Sequence, residues 1–194
     1  CRSPKGRMST LLQELVTTQA DRWPDMPAVV WRRMTLTYAD LEARSNQLAR
    51  ALRDVGCRRG DRVCVSSLPS PEAIVAVLAV YKADAIYVPL DVESPPARLA
   101  RVIQASEPKC VLTCAATAPV VDQVVRLGAL AETVPVGALT ASPIIGERFT
   151  TTFCLADVRH LPTRSVPYRN RASNAAQIVF SGGPASAPVG VVLT

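Results

Sequence analysis

Three short apolar runs constrain the fold of this chain more than any other feature. They are Arg62–Ser66 (RVCVS), Ala85–Leu90 (AIYVPL) and Lys109–Thr113 (KCVLT). Each is too short and too continuously apolar for a surface strand, and helical patterns separate them. Ser70 caps a helix with Pro71 in its first turn, where a missing amide does no harm. The segment that follows, EAIVAVLAVYKA, is apolar on nearly every side, as in a helix packed between two layers. Ser94, Pro95 and Pro96 open a further helix through Ala105, and Pro119–Leu127 reads as another. Buried strands joined by helices require crossover connections. The chain is therefore expected to be α/β, with a mostly parallel sheet, helices on both faces and right-handed crossovers.

Upstream, Thr10–Ala20 reads as a short helix, and Ala28–Trp31 and Met34–Thr37 as two strands joined at Arg32–Arg33. Thr37 and Asp40 form a capping-box pattern. The helix behind them carries Leu41, Leu48, Leu52 and Val55 on one stripe and closes at Gly56, which takes the left-handed conformation at low cost. Thr133–Val136 (TVPV) reads as a short strand. Residues 137–172, with Pro143, Pro162 and Pro167, read as a long surface connection. Residues 1–8 read as a disordered lead-in, and residues 9–194 as part of something longer.

A chain of 194 residues, 48% of them apolar, is long enough for one sizeable core. No apolar run approaches the ~20 residues of a membrane span. The net charge of +6 comes almost wholly from 19 arginines, which are scattered singly or in pairs without interleaved aromatics. That pattern speaks against nucleic acid and for solvated surface charge. Six cysteines show no CxxC pair and His160 is the lone histidine, so zinc has little support. Buried, reduced thiols fit better, and with them a cytoplasmic setting.

Three segments in order resemble the adenylation domains of nonribosomal peptide synthetases, within the adenylate-forming enzymes. LTYADLEARSNQLARAL (Leu36–Leu52) is similar to the family's LTYxELxxxxNxLAxxL. SPEAIVAVLAVYKADAIYVPLD (Ser70–Asp91) is similar to PExxVAxLAxLKAGxAYVPLD, and Ser94–Thr113 continues it. AQIVFSGGPASAPVGVVLT (Ala176–Thr194) is similar, without gaps, to AYIIYTSGSTGxPKGVVLT. The resemblance covers residues 9–194 and implies the layered N-terminal subdomain of an adenylate-forming enzyme. It implies ATP and Mg2+ as cofactors in the whole enzyme, which activates a carboxylate as an acyl-AMP. It also implies loading of the phosphopantetheine thiol of a carrier domain. The partners implied are the remainder of the adenylation domain and neighbouring synthetase domains, with no nucleic acid and no membrane. Motifs for the amino-acid pocket, the magnesium-associated acid and the catalytic lysine come later in the family. No catalytic or metal-ligating residue is therefore assigned here.

In the family the third segment wraps ATP phosphates with amides, hydroxyls and a lysine, so the resemblance casts Ser181, Gly182, Gly183, Ser186 and Gly190 as nucleotide-binding. Small residues permit close backbone approach, and a nest of amides makes a positive concavity. Three of the family's four hydroxyl positions here hold Gly182, Pro184 and Ala185, and Val189 stands in place of the lysine. Each hydrogen bond to a charged group contributes about 1.5–3 kcal/mol, so the loop reads as a thinned phosphate grip. Asp84 replaces a family glycine at a position where positive φ is expected, and reads as a harmless substitution. Asp91 reads as a turn cap. Two alternatives stand beside the main reading: part of an acyl- or aryl-coenzyme A ligase, and a noncatalytic remnant serving as a docking module.

Overall fold

The computed structural model describes residues 11–181 and 187–194. Two strands, β1 (Pro27–Trp31) and β2 (Met34–Thr37), form a separate antiparallel hairpin. Seven strands form the main sheet: β3 (Arg62–Ser66), β4 (Ile86–Pro89), β5 (Cys110–Thr113), β6 (Val136–Ala138), β7 (Phe153–Cys154), β8 (Gln177–Ser181) and β9 (Val189–Leu193). Their spatial order is β7-β6-β5-β3-β4-β8-β9, and every pairing except β8–β9 is parallel. The expected α/β fold with a mostly parallel sheet is present.

Among the described residues six α-helices accompany these strands: α1 (Leu12–Arg22), α2 (Tyr38–Asp54), α3 (Pro71–Lys82), α4 (Pro96–Ser106), α5 (Ala118–Arg126) and the single turn α6 (Leu155–Val158). Side-chain alternation along the strands divides the core. Val63, Val65, Cys110 and Leu112 face a cluster with Leu48 and Leu52 of α2 and Ala76 and Val80 of α3. Cys64, Val88 and Val111 face the opposite cluster, with Leu99 and Ile103 of α4 and Val121 and Val124 of α5. Both faces of the central strands are thus buried, which is why they read as continuous apolar runs.

The caps expected from the sequence form. Thr37 Oγ1 accepts from Asp40 N at 3.1 Å, and Asp40 Oδ2 accepts from Thr37 N at 3.1 Å. Ser70 Oγ accepts from Ala73 N at 3.2 Å. Gly56 closes α2 at φ +95°, a conformation that strains any side chain.

Between α2 and α3 lies a buried ion pair. Lys82 is fully buried, and its Nζ stands 2.7 Å from Glu42 Oε2. The ammonium also donates to Ser45 Oγ and Asn46 Oδ1, each at 2.8 Å. Glu42 in turn accepts from Thr17 of α1 at 3.1 Å and from Asn46 Nδ2 at 3.0 Å. Asn46 Nδ2 reaches the Thr163 carbonyl at 2.8 Å. One cation therefore ties three helices and a distant segment together.

Two expectations need correction. Residues 137–172 are not simply a surface connection. Strand β6 is buried throughout, β7 is buried, and Leu139 and Val166 are buried as well. Strands of two or three residues are too short to show a period, and TVPV overlaps the strand that forms only at Val136. Gly137 fits because a Cβ there would collide with the Phe153 ring. Asp84, in turn, is more than a tolerated replacement. It does take positive φ, +63°. Its buried carboxylate accepts from the amides of Arg169 at 2.8 Å and Asn170 at 2.9 Å, and meets Arg53 at 3.4 Å. A glycine could hold the turn but not this segment.

At the sheet's edge β9 is exposed along its whole length, with Val189, Val191, Val192 and Leu193 all open to solvent.

Removing Lys82 strands the Glu42 carboxylate, so Lys82→Ala should cost about 3–5 kcal/mol in urea unfolding. The paired Lys82→Met/Glu42→Leu variant should recover most of that loss. Equal destabilisation by the single and paired variants would show that the charges themselves contribute little.

Candidate functional site: the carboxyl ends of the parallel strands

Because β3, β4, β5 and β8 run parallel, their carboxyl ends gather at one end of the sheet, where open α/β sheets bind ligands. Ser66, Asp91, Thr113 and Ser181 stand at or just beyond these ends. Of the residues cast as nucleotide-binding, the structure describes Ser181 and Gly190. Gly182, Gly183 and Ser186 lie outside the described residues, as do residues 1–10.

Ser181 is the last residue of β8 and is exposed, and it pairs across the hairpin with Val189. Its hydroxyl is therefore available at the mouth of the loop. Val189, 61% exposed, offers no charge where the resemblance expects a lysine. Gly190 pairs with Phe180, one step further along β9. A Cβ on it would sit 3.0 Å from Ile178 Cγ2 and 3.2 Å from Phe180 Cε1, so a side chain there would have to push these two neighbours on β8 by a few tenths of an ångström. Among the described residues no group of three or more acidic, histidine or cysteine side chains is arranged to hold a metal. The described flanks of the loop thus supply one hydroxyl and no cation. They do not by themselves fit a triphosphate with its magnesium, and no chemical step is derived through them.

Asp91 caps a turn, as expected. Its carboxylate accepts from Glu93 N at 3.2 Å and from Ser94 Oγ at 2.8 Å. His160 is exposed and far along the chain from the strand ends described here.

A hydroxyl cluster between β3 and β5 was not foreseen. Ser66 and Thr113 are register partners. Thr117 Oγ1 donates to the Ser66 carbonyl at 2.6 Å and lies 3.0 Å from Thr113 Oγ1. Ser66 Oγ is buried and has no hydrogen-bond partner among the described residues. The only signal for this cluster was the pair of small polar residues ending two apolar strands. Beside it, Cys114 is half-buried, with its Sγ 3.4 Å from Thr117 Oγ1. Burial works to raise this thiol, but the Thr117 hydroxyl and the amides of Leu68, Thr117 and Ala116 outweigh it and leave the thiol below its ordinary value. Cys64 lies at the other extreme, where burial pushes the thiol up to about 12.

A cavity of about 430 Å3 lies away from this end, at the start of β8, among Gln13, Tyr81, Asn174 and Ala176. It is unrelated to the strand ends that carry Ser181.

Residues 16–194 match the family model described as AMP-binding enzyme. Nonribosomal peptide synthetase 8 of Aspergillus fumigatus is 38% identical over 115 residues, which are 59% of this chain and 1% of that protein. Tyrocidine synthase 1 of Brevibacillus parabrevis is 40% identical over 102 residues, 53% of this chain and 9% of that one. Among solved structures, the nonribosomal peptide synthetase FmoA3 in its AMPPNP-bound form matches with a TM-score of 0.75 at 27% identity. That match covers 94% of this chain and 17% of the other. The chain spans less than a tenth of these two curated relatives.

Among the described cysteines, iodoacetamide at neutral pH should label Cys114 first and leave Cys64 unmodified in the native state, as read by mass spectrometry. The Cys64 pKa is raised on folding. Its contribution to stability is thus complete below the ordinary thiol value of 9.0 and is lost as pH climbs toward about 12. Urea midpoints should fall over that interval, and Cys64→Ala should flatten the decline.

Proposed function

The chain belongs to the AMP-binding enzyme family, and from that membership we propose that it is the N-terminal part of an amino-acid adenylation domain. The whole domain would use ATP and Mg2+ to activate an amino acid as its acyl-AMP. It would then load the phosphopantetheine thiol of a carrier domain within a larger synthetase. In this reading residues 1–8 are a lead-in and residues 9–194 the first portion of the domain.

The observation that carries this reading is the family match over residues 16–194. The fold supports it by placing Ser181 at the carboxyl end of a parallel sheet. Peptide synthetases supply the high-identity relatives, which favours an amino acid over a fatty or aryl acid as substrate.

In that role this chain would do two things. Its sheet would form the rigid floor from which the loop after β8 projects. The loop would present Ser181, Gly182, Gly183 and Ser186 to the phosphates, with Gly190 keeping the hairpin narrow behind them. With Val189 in place of a cation, and with Pro184 offering no amide donor, the grip would be weak. By itself the chain would not catalyse adenylation.

A chimera tests this. Residues 11–194 replace the matching segment of FmoA3, whose structural match covers 94% of this chain, and amino-acid-dependent ATP–pyrophosphate exchange is measured. The exchange rate should fall by about two orders of magnitude, as expected for losing more than one charge-assisted hydrogen bond. Restoring family residues at 182, 184, 185 and 189 should recover most of it. A folded chimera that stays inactive after restoration would overturn the reading. Exchange driven by aryl or fatty acids would move the chain to the coenzyme A ligases.

A further inference from the structure

The arginines are scattered in sequence, but the fold brings many of them together at the end of the sheet opposite Ser181. Helices α2 and α3 run against the strands, so their carboxyl ends lie at the strands' amino ends. Here Arg50 and Arg53 of α2 and the turn residues Arg58 and Arg59 meet Arg164 and Arg169 from the segment leading to β8. Among the described residues, the carboxylates of Asp54, Asp61 and Asp84 lie among these cations, and Glu14 and Glu42 act on Tyr168 beside Arg169. Asp84 is buried, and the Arg169 and Asn170 amides and Arg53 occupy it. Asp61 accepts from the Arg58 amide at 2.7 Å.

What holds the guanidinium groups matters more than their number. Arg50 donates to the carbonyls of Asn46 at 3.3 Å and Arg164 at 2.9 Å. Arg53 donates to the carbonyls of Lys82 at 2.9 Å and Pro167 at 2.7 Å. Arg58 donates to the carbonyls of Arg53 and Cys57, both at 3.1 Å. Arg59 is held by the side-chain oxygens of Asn170 at 3.3 Å and Asn174 at 2.7 Å. Neutral acceptors fix the orientation of a guanidinium without cancelling its charge. Among the described residues, only Arg53 of these six is within ion-pair distance of a carboxylate. Burial first, then the charges of Arg164 and Arg53, pull the Arg50 guanidinium below its ordinary value against the opposing charge of Asp54.

We propose that this arginine-rich end of the sheet is a docking surface for a carboxylate-rich segment of a partner protein. Oriented guanidinium forks match planar carboxylates in pairs, and the immobilisation of their donors lowers the entropy lost on binding. The carbonyls and the Asn170 and Asn174 side-chain oxygens fix where the forks of Arg50, Arg53, Arg58 and Arg59 point. That suits a protein segment with carboxylates at set positions better than a uniform phosphate backbone. It lies at the opposite end of the sheet from the nucleotide loop, so a partner could engage it without obstructing that loop.

The test uses fluorescence anisotropy of a labelled twelve-residue peptide of alternating Asp and Glu, at low and at physiological salt. The chain should bind it, and Arg58→Glu/Arg164→Glu/Arg169→Glu should weaken binding at least tenfold. The control Arg22→Glu/Arg32→Glu/Arg33→Glu makes the same change in net charge elsewhere and should weaken it less than threefold. Should the first variant lose its cooperative thermal transition, Arg58→Gln/Arg164→Gln/Arg169→Gln is read in its place. Equal losses from both sets would overturn the proposal, since net charge alone would then account for binding. Tighter, equally localised binding of a short DNA duplex would overturn it as well, because the surface would then be a phosphate reader.

Discussion

The architecture depends on how one buried cation is satisfied. Lys82 has no access to water, and an ammonium in that setting is tenable only with partners on every donor. Glu42, Ser45 and Asn46 provide them from successive turns of a single helix. The registry of α2 on α3 is therefore set by chemistry as well as by shape, because sliding either helix by a turn would separate the charges. Thr17 adds α1 to the same carboxylate, and the Thr163 carbonyl adds the returning chain. Apolar packing would hold these helices together in many arrangements, whereas the ion pair admits one.

With α2 and α3 fixed, the sheet beneath them acquires two unlike ends. At the carboxyl ends of the strands stand small polar groups: Ser66, Thr113, Thr117, Ser181 and the turn at Asp91. At the amino ends stand arginines held by helix-terminal carbonyls. Asp84 belongs to the second end and shows how a departure from a family pattern can gain a role. A position requiring positive φ admits few residues, and Asp is among those that tolerate it while also offering a carboxylate to two backbone amides.

Much of this was legible in the residues. The central strands announced themselves as continuous apolar runs because both faces are covered. The capping pairs Thr37–Asp40 and Ser70–Ala73 marked helix starts through local chemistry that tertiary context left undisturbed. Strands β6 and β7 could not be read, since two or three residues carry no period and their burial depends on neighbours distant in sequence. The arginine cluster was equally hidden. Arg50 and Arg164 are adjacent only because a long segment folds back along α2. Of the residues the strand pattern led to, Ser181 ends β8 as that pattern has it, while the close approach of Gly190 to Ile178 and Phe180 depends on cross-strand pairing that a single strand does not display.

The open strand β9 has a practical consequence. Its outward backbone groups and its four large aliphatic side chains form an adhesive rim beside β8, itself only half-buried. An edge of this kind favours self-adhesion between copies of the chain in concentrated solution. A lysine or proline placed on the strand would prolong handling of the chain without touching the core.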